Sequence, residues 1–308
     1  MIDNEATSRM PAISLAAVAG RRISTVELAR EIEDRGFSGI FCPSFGDAMG
    51  LCLSIAHVTS RLEIGTAIQP IYLQHPSALA TSAAYLHEIA EGRFRLGIGV
   101  THGPVHGRLG IEVGKPLADT RAYVEEMRRA AKPIGGLPPL TLAALRDKMV
   151  ALSVEISEGA VWANASRSRM AHSLSNIPQD RIDGGFYVGN MIPTVIDDDR
   201  EAGAARNRAT LKGYVALPNY RNYWKDAGYE EEMTAVETAM ETKDSDGVLA
   251  AMSDKWLSDC TLYGSVGEVR EGVEAWLDAG VGSPILVPSS TSGGQVKAFQ
   301  ELFDAYQS

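Results

Sequence analysis

Apolar runs and amphipathic stretches alternate along the first half of the chain. Residues 24–35 (STVELAREIEDR) open on Ser and Thr and repeat apolar positions at intervals of three and four, which predicts an amphipathic helix. FSGIFCP (37–43) is a short apolar run closed by proline, a buried strand, and a helix-like stretch follows at 48–59. LEIGTAIQPIYL (62–73) reads as strand, SALATSAAYLHEIA (77–90) as an Ala-rich helix and RFRLGIGV (93–100) as another buried strand. LADTRAYVEEMRRAA (117–131) is helical and PLTLAAL (139–145) strand-like. Strands that are apolar throughout, with helices between them, belong to parallel sheets covered on both faces.

The second half keeps this beat less cleanly. A helix at 147–157 leads to GAVWAN (159–164), and GGFYVGNMI (184–192) is a further strand. Residues 198–261 are mostly helical and carry Tyr214, Tyr220, Tyr223, Trp224 and Tyr229. VGEVREGVEAWLDAG (266–280) is a helix with a glycine stop, SPILVPSS (283–290) a last strand and 295–306 a last helix. With PAISLAAV (11–18) as the first strand there are eight strand candidates, and eight β/α beats point to an α/β chain closed as a (β/α)8 TIM barrel. A doubly wound sheet is the alternative. No Ser/Gly/Pro linker divides the chain, which predicts one domain over 1–308 with a helical insertion after the seventh strand, at about 198–261.

Composition narrows the class. A chain of 308 residues buries about 75% of its unfolded surface and needs no metal or disulfide staple. The formal charge is -10, and no Lys/Arg cluster offers a nucleic-acid footprint. Cys42, Cys52 and Cys260 form an odd set without CxxC spacing, which suits a reducing compartment. The N-terminus lacks a basic start followed by an apolar core, and no stretch approaches the ~18 apolar residues of a membrane helix. The expectation is a soluble cytoplasmic protein without a membrane partner.

Candidate chemistry is sparse. Gly97-Ile98-Gly99 ends a strand, but His102 stands where the third glycine of a dinucleotide fingerprint belongs. The glycines either let neighbouring chain approach or face a ligand at the barrel's C-terminal end, where active sites of barrels lie. His102 and His106 have metal-ligand spacing only on a helix, which Gly103 and Pro104 are expected to prevent; no metal site is predicted. His57 and His87 read as packed structural histidines, and Asp197, Asp198 and Asp199 as caps of the helix that follows. No strand candidate holds a lysine for Schiff-base chemistry, and there is no GxSxG. Leu145-Arg146-Asp147-Lys148 passes from strand to helix with free N–H groups and two cations, an arrangement suited to a phosphate or to a plain βα turn. The helices at 48–59 and 77–90 carry apolar side chains on more than one face (Leu51, Leu53, Ile55, Val58, Leu79, Ala80, Ala83, Ala84, Leu86), which predicts a homodimer.

Three blocks resemble a known family. GTAIQPIYLQHPSALATSAAYLHEIAEGRFRLGIGV (65–100), LAALRDKMVALSVEISEGAVW (142–162) and VGEVREGVEAWLDAGVGSPILVP (266–288) are similar to luciferase-like oxidoreductases. Length and the segment ending in Tyr72 and His75-Pro76 place the resemblance nearest the F420-dependent branch, which includes methylenetetrahydromethanopterin reductase. The resemblance implies a (β/α)8 barrel that transfers a hydride between coenzyme F420, or alternatively FMN, and a small organic substrate such as a reduced pterin or an alcohol. An FMN-dependent monooxygenase and a non-catalytic flavoprotein are the other readings it allows. It also implies a cofactor-binding set. Ala67 and Ile68 form a bulge with a cis peptide behind the ring, and Gly99, Val100, Thr101 and His102 lie beside it. Leu145 and Arg146, with Ala144 adjoining, stand where relatives bind phosphate through paired glycines. Ser44, followed by Phe45, stands where relatives carry Asp-His, and Val100 where sugar-phosphate dehydrogenases carry a glutamate. No catalytic residue is implied; His102 is the candidate left over.

Overall fold

The computed structural model describes residues 10–101 and 103–306. Ten strands occur in it, all paired in parallel: β1 (Ala12–Ser14), β2 (Gly39–Cys42), β3 (Glu63–Thr66), β4 (Gln69–Pro70), β5 (Phe94–Gly99), β6 (Leu140–Ala143), β7 (Gly159–Ala163), β8 (Tyr187–Ile196), β9 (Leu262–Gly264) and β10 (Ser283–Pro288). β10 pairs with β1 on one side and with β8 on the other, so the sheet closes on itself. Eight strands make this barrel, and they are the eight apolar runs of the sequence. Alternate residues face two interiors. Ala12, Phe41, Ala67, Val161 and Ile285 fill the lumen, whereas Ile13, Ile40, Ile64, Leu96, Leu142 and Leu286 pack against the helical layer.

The lumen is closed at its N-terminal end. Arg95 Nε donates to Glu63 Oε1 at 2.7 Å, and the same guanidinium lies 4.4 Å from the ring centre of Tyr187. Phe41 leans on that ring at 5.6 Å.

Several expectations shift. The strand expected over 62–73 stops at Thr66, breaks at Ala67 and Ile68, and resumes only for Gln69–Pro70. The Ala67–Ile68 peptide is cis. The strand expected at 184–192 starts instead at Tyr187, because Gly185 turns with φ +82°, and runs on to Ile196. Its extra length has a partner: Thr194, Val195 and Ile196 pair with β9, too short to show in the sequence pattern. Gly103 and Pro104, expected to prevent a helix, open one (Gly103–Leu109). Proline is tolerated in a first helical turn because the N–H it lacks would have no acceptor there. His57 is exposed at the end of helix Ala48–Ala56 rather than packed, while His87 Nδ1 bonds the Phe94 carbonyl at 2.8 Å.

Between β8 and β9 run five helices: Arg200–Val215, Pro218–Asp226, Glu230–Glu241, Ser245–Ala250 and Asp254–Cys260. Asp199 caps the first, its carboxylate accepting from Ala202 N at 3.1 Å. The aromatic residues gather as expected. Tyr220 stacks near Tyr214 and Trp224 at 5.1 and 5.4 Å, and Trp224 meets Trp256 edge-on at 4.9 Å. Of the nine residues taken as evidence for a partner, the chain itself buries Leu51, Ile55, Leu79, Ala80, Ala83 and Leu86; Leu53, Val58 and Ala84 stay half-buried. Among the described residues no helix is long and apolar enough to cross a membrane.

Candidate functional site

A cavity of about 1230 Å³ opens at the C-terminal ends of the strands. Ser44, Ala67, Ile68, Val100, Thr101, Ala144, Leu145 and Arg146 all line it. Gly99 lies just behind its wall, and His102 falls outside the described residues.

One wall is shaped by missing side chains. A Cβ on Gly97 would stand 2.0 Å from the Thr66 carbonyl oxygen, and one on Gly99 would meet Ala143 Cβ at 2.6 Å and Ile68 Cγ1 at 3.2 Å. The Thr66 hydroxyl donates to the Gly97 carbonyl at 2.7 Å and accepts from Gly97 N at 3.0 Å. Both glycines therefore serve close approach of the neighbouring chain: they make room for the break after β3, which sets Ile68 against the cavity. Gly99 acts on the site through Ile68.

The opposite wall is polar and cross-linked. Arg146 precedes helix Asp147–Ile156, whose first amides have no acceptor inside the helix. Its Nη2 bonds Asp226 Oδ2 at 2.9 Å, and Arg169 Nη1 donates to the Asp226 carbonyl at 2.6 Å. Asp147 in turn accepts from His172 at 3.1 Å. Beyond β7, Asn164 adopts φ +56°, a conformation asparagine tolerates, and its carbonyl accepts from Trp224 Nε1 at 3.2 Å. Asp259 then fastens the helical segment to the loop after β7. It accepts from Ser168 N at 2.9 Å, Ser168 Oγ at 2.7 Å and Tyr229 OH at 2.8 Å. Burial pushes the Tyr214 and Tyr220 hydroxyls above the ordinary phenol range, so both stay protonated at neutral pH.

Four lining groups have buried polar atoms without a hydrogen-bond partner among the described residues: Thr101 Oγ1, Trp162 Nε1, Asn164 Nδ2 and Ser289 Oγ. His106 lies 5.3 Å from Tyr72, edge to face, and Tyr72 OH donates to Asp119 at 2.7 Å. Among the described residues no group of three or more His, Cys, Asp or Glu converges as metal ligands would. Sequence reasoning missed Phe45 and Leu117 as lining residues, and also the Ser289–Gly294 turn and the pair Arg169 and Asp226. The SSTSGG run between the last strand and the last helix was the one signal available for the turn.

The sequence model of the luciferase-like monooxygenase family matches residues 14–283. This chain belongs to that family. A protein of Mycobacterium tuberculosis named as a coenzyme F420-dependent oxidoreductase is 26% identical, with 90% of this chain and 93% of that protein covered. The 5,10-methylenetetrahydromethanopterin reductase of Archaeoglobus fulgidus is 24% identical over 75% of this chain and 80% of its own. Among solved structures, the F420-dependent tetrahydromethanopterin reductase of Methanopyrus kandleri superposes with a TM-score of 0.73 at 15% identity, covering 96% of this chain and 98% of that one. At that identity the likeness speaks for the fold alone.

Proposed function

We propose that this luciferase-like chain is an oxidoreductase that moves a hydride between coenzyme F420 and a small organic substrate. The carrying observation is that eight of the cofactor positions implied by family resemblance line one cavity at the barrel's C-terminal mouth. The relative named for F420 dependence, similar over nearly the whole chain, supports the choice of cofactor. F420 when bound supplies the hydride chemistry, and the protein supplies placement and exclusion of water. Ile68, backed by Gly99, offers a firm wall to a flat ring. The open amides at the start of helix Asp147–Ile156 and the Arg146 guanidinium suit a phosphate, the cation replacing the paired glycines of relatives. Thr101 Oγ1 and Trp162 Nε1 lie buried in the wall without a partner among the described residues. With Val100 and Ser44 in place of acidic and histidine side chains, a sugar phosphate is a poor candidate substrate.

The family match supports a second reading, an FMN-dependent monooxygenase. Separate fluorescence titrations with F420 and FMN test the two. Tighter binding of F420 is the expected result, tighter binding of FMN moves the protein to the second reading, and binding of neither overturns both. Turnover of bound F420 with alcohols or reduced pterins separates an enzyme from a cofactor carrier. We also propose a homodimer through the faces of helices Ala48–Ala56 and Pro76–Ile89, where Tyr85 is 56% exposed. A monomeric mass in light scattering at micromolar concentration contradicts it. The three buried free cysteines support work in a reducing cytoplasm.

A further inference from the structure

Helix Pro218–Asp226 ends on an acid, and that is the unfavourable charge for the position. The carbonyls of a last helical turn carry a partial negative charge, which lysine or arginine stabilises and aspartate opposes. The cation that this turn does possess is turned away: Lys225 Nζ donates to Glu237 Oε2, on the following helix, at 2.8 Å. Asp226 finds its counter-charge eighty residues earlier, in Arg146, whose Nη2 donates to Oδ2 at 2.9 Å. Its carbonyl, one of those that lack a donor inside the helix, accepts from Arg169 Nη1 at 2.6 Å. A carboxylate and a helix C-terminus thus face two guanidinium groups, and all three residues line the cavity.

Asp147 is the contrasting acid. It also lines the cavity, accepts from His172 at 3.1 Å and lies 3.9 Å from Arg169. It opens helix Asp147–Ile156, however, where the helix itself favours negative charge. Local chemistry accounts for Asp147 and gives no reason for Asp226. Departures of that kind gather at functional sites. The Arg146–Asp226 pair is also open to competition. Its side chains are 53% and 42% exposed, a setting in which an ion pair contributes little. A phosphate beside Arg146 has the first amides of helix Asp147–Ile156 to bind as well as the guanidinium.

We propose that Asp226 is a built-in competitor for the anion site: its carboxylate and an incoming phosphate contend for the Arg146 guanidinium, so that filling the site releases the end of helix Pro218–Asp226. Such coupling is reciprocal, and whatever weakens the hold on Asp226 tightens anion binding by the same factor. That the phosphate belongs to F420 rests on the reading above; the competition for Arg146 does not.

Calorimetric titration with inorganic pyrophosphate at fixed ionic strength tests this without the cofactor. Asp226→Asn is expected to bind pyrophosphate about fivefold more tightly, because the competitor loses its charge while both arginines remain. Asp226→Ala, at a position outside the core, should do the same. Arg146→Ala should weaken binding about tenfold, and adding Asp226→Asn to it should change little, since the group competed for is gone. Were Asp226 a positioning residue for Arg146, both Asp226 variants would bind more weakly, so the sign decides. Binding unchanged or weaker in both Asp226 variants, an equal gain with and without Arg146, or no pyrophosphate binding by any variant overturns the proposal. Failure of F420 and FMN to bind in their own titrations overturns the proposed cofactors instead, and the pyrophosphate result stands separately.

Discussion

The two walls of the cavity are held by opposite means. Beside β3 and β5 the wall depends on what is absent: Gly97 and Gly99 have no Cβ, so the chain after Thr66 can press in until main chain touches main chain. Beside β7 it depends on what is present, a set of hydrogen bonds accepted by Asp259, the Asn164 carbonyl and the Tyr223 hydroxyl that ties the helical segment to the loop. Contact between backbones leaves nothing to yield, whereas a polar network loses its bonds one at a time. The first wall should fail abruptly and the second by degrees.

Gly97→Ala should therefore have the largest effect. The added carbon would lie 2.0 Å from a carbonyl oxygen, and overpacking against backbone should cost about 3 kcal/mol, read as a fall in the urea midpoint. A variant as stable as the parent would show that this wall yields after all. Asp259→Ala comes next, leaving Ser168 N, Ser168 Oγ and Tyr229 OH without their acceptor. About 2 kcal/mol is expected, with Asp259→Asn recovering part of it. Proteolysis should then nick the helical segment before the barrel.

Arg146→Ala is milder for the fold. Its partner Asp226 and Arg146 itself are both about half exposed, so stability should change by less than about 1 kcal/mol. F420 affinity should drop about tenfold if the guanidinium carries a phosphate contact. Unchanged affinity would confine Arg146 to its pairing with Asp226.

Acid gives the smallest effect and acts on one wall only. Hydrogen bonds from Lys225, then Arg221, hold the Glu237 carboxyl below its ordinary range, against a smaller opposing push from burial. A depressed folded value means that the stabilisation is complete above the unfolded value, near 4.5, and is lost as pH falls through the folded one. Between pH 6 and pH 3, as an approximate window, Glu237→Gln should flatten the acid-induced loosening of helix Glu230–Glu241 seen by hydrogen exchange. The residues that meet at the glycine contacts, Thr66, Ile68, Gly97, Gly99 and Ala143, carry no titrating side chain and should not respond.

The same contrast explains what could be read from sequence. A barrel strand is buried on two faces, so its whole length turns apolar, and all eight runs stood out. The bulge was legible only through family resemblance: nothing in GTAIQP says that Thr66 carbonyl will meet Gly97, since that contact joins residues 31 apart. The loop after β6 was legible because strand, cations and helix follow one another within a few residues. The Asp259 network was not, because it joins Ser168 to a residue 91 positions later, and neither side chain is unusual locally. Gly103-Pro104 misled for a local reason. The rule that proline breaks helices fails in a first turn.

The Arg95–Tyr187 stack beneath the lumen has a bearing on traffic. Arg95, Glu63, Phe41 and Tyr187 fill the N-terminal end of the barrel, which directs traffic to the C-terminal mouth, where the cavity opens. Two guests that share that mouth would be queued, the one lodged deeper arriving first and departing last. Exchange would then follow a fixed sequence, written into the steady-state kinetics as an ordered rather than a random pattern, and set by a cation and a phenol ring that no guest ever touches.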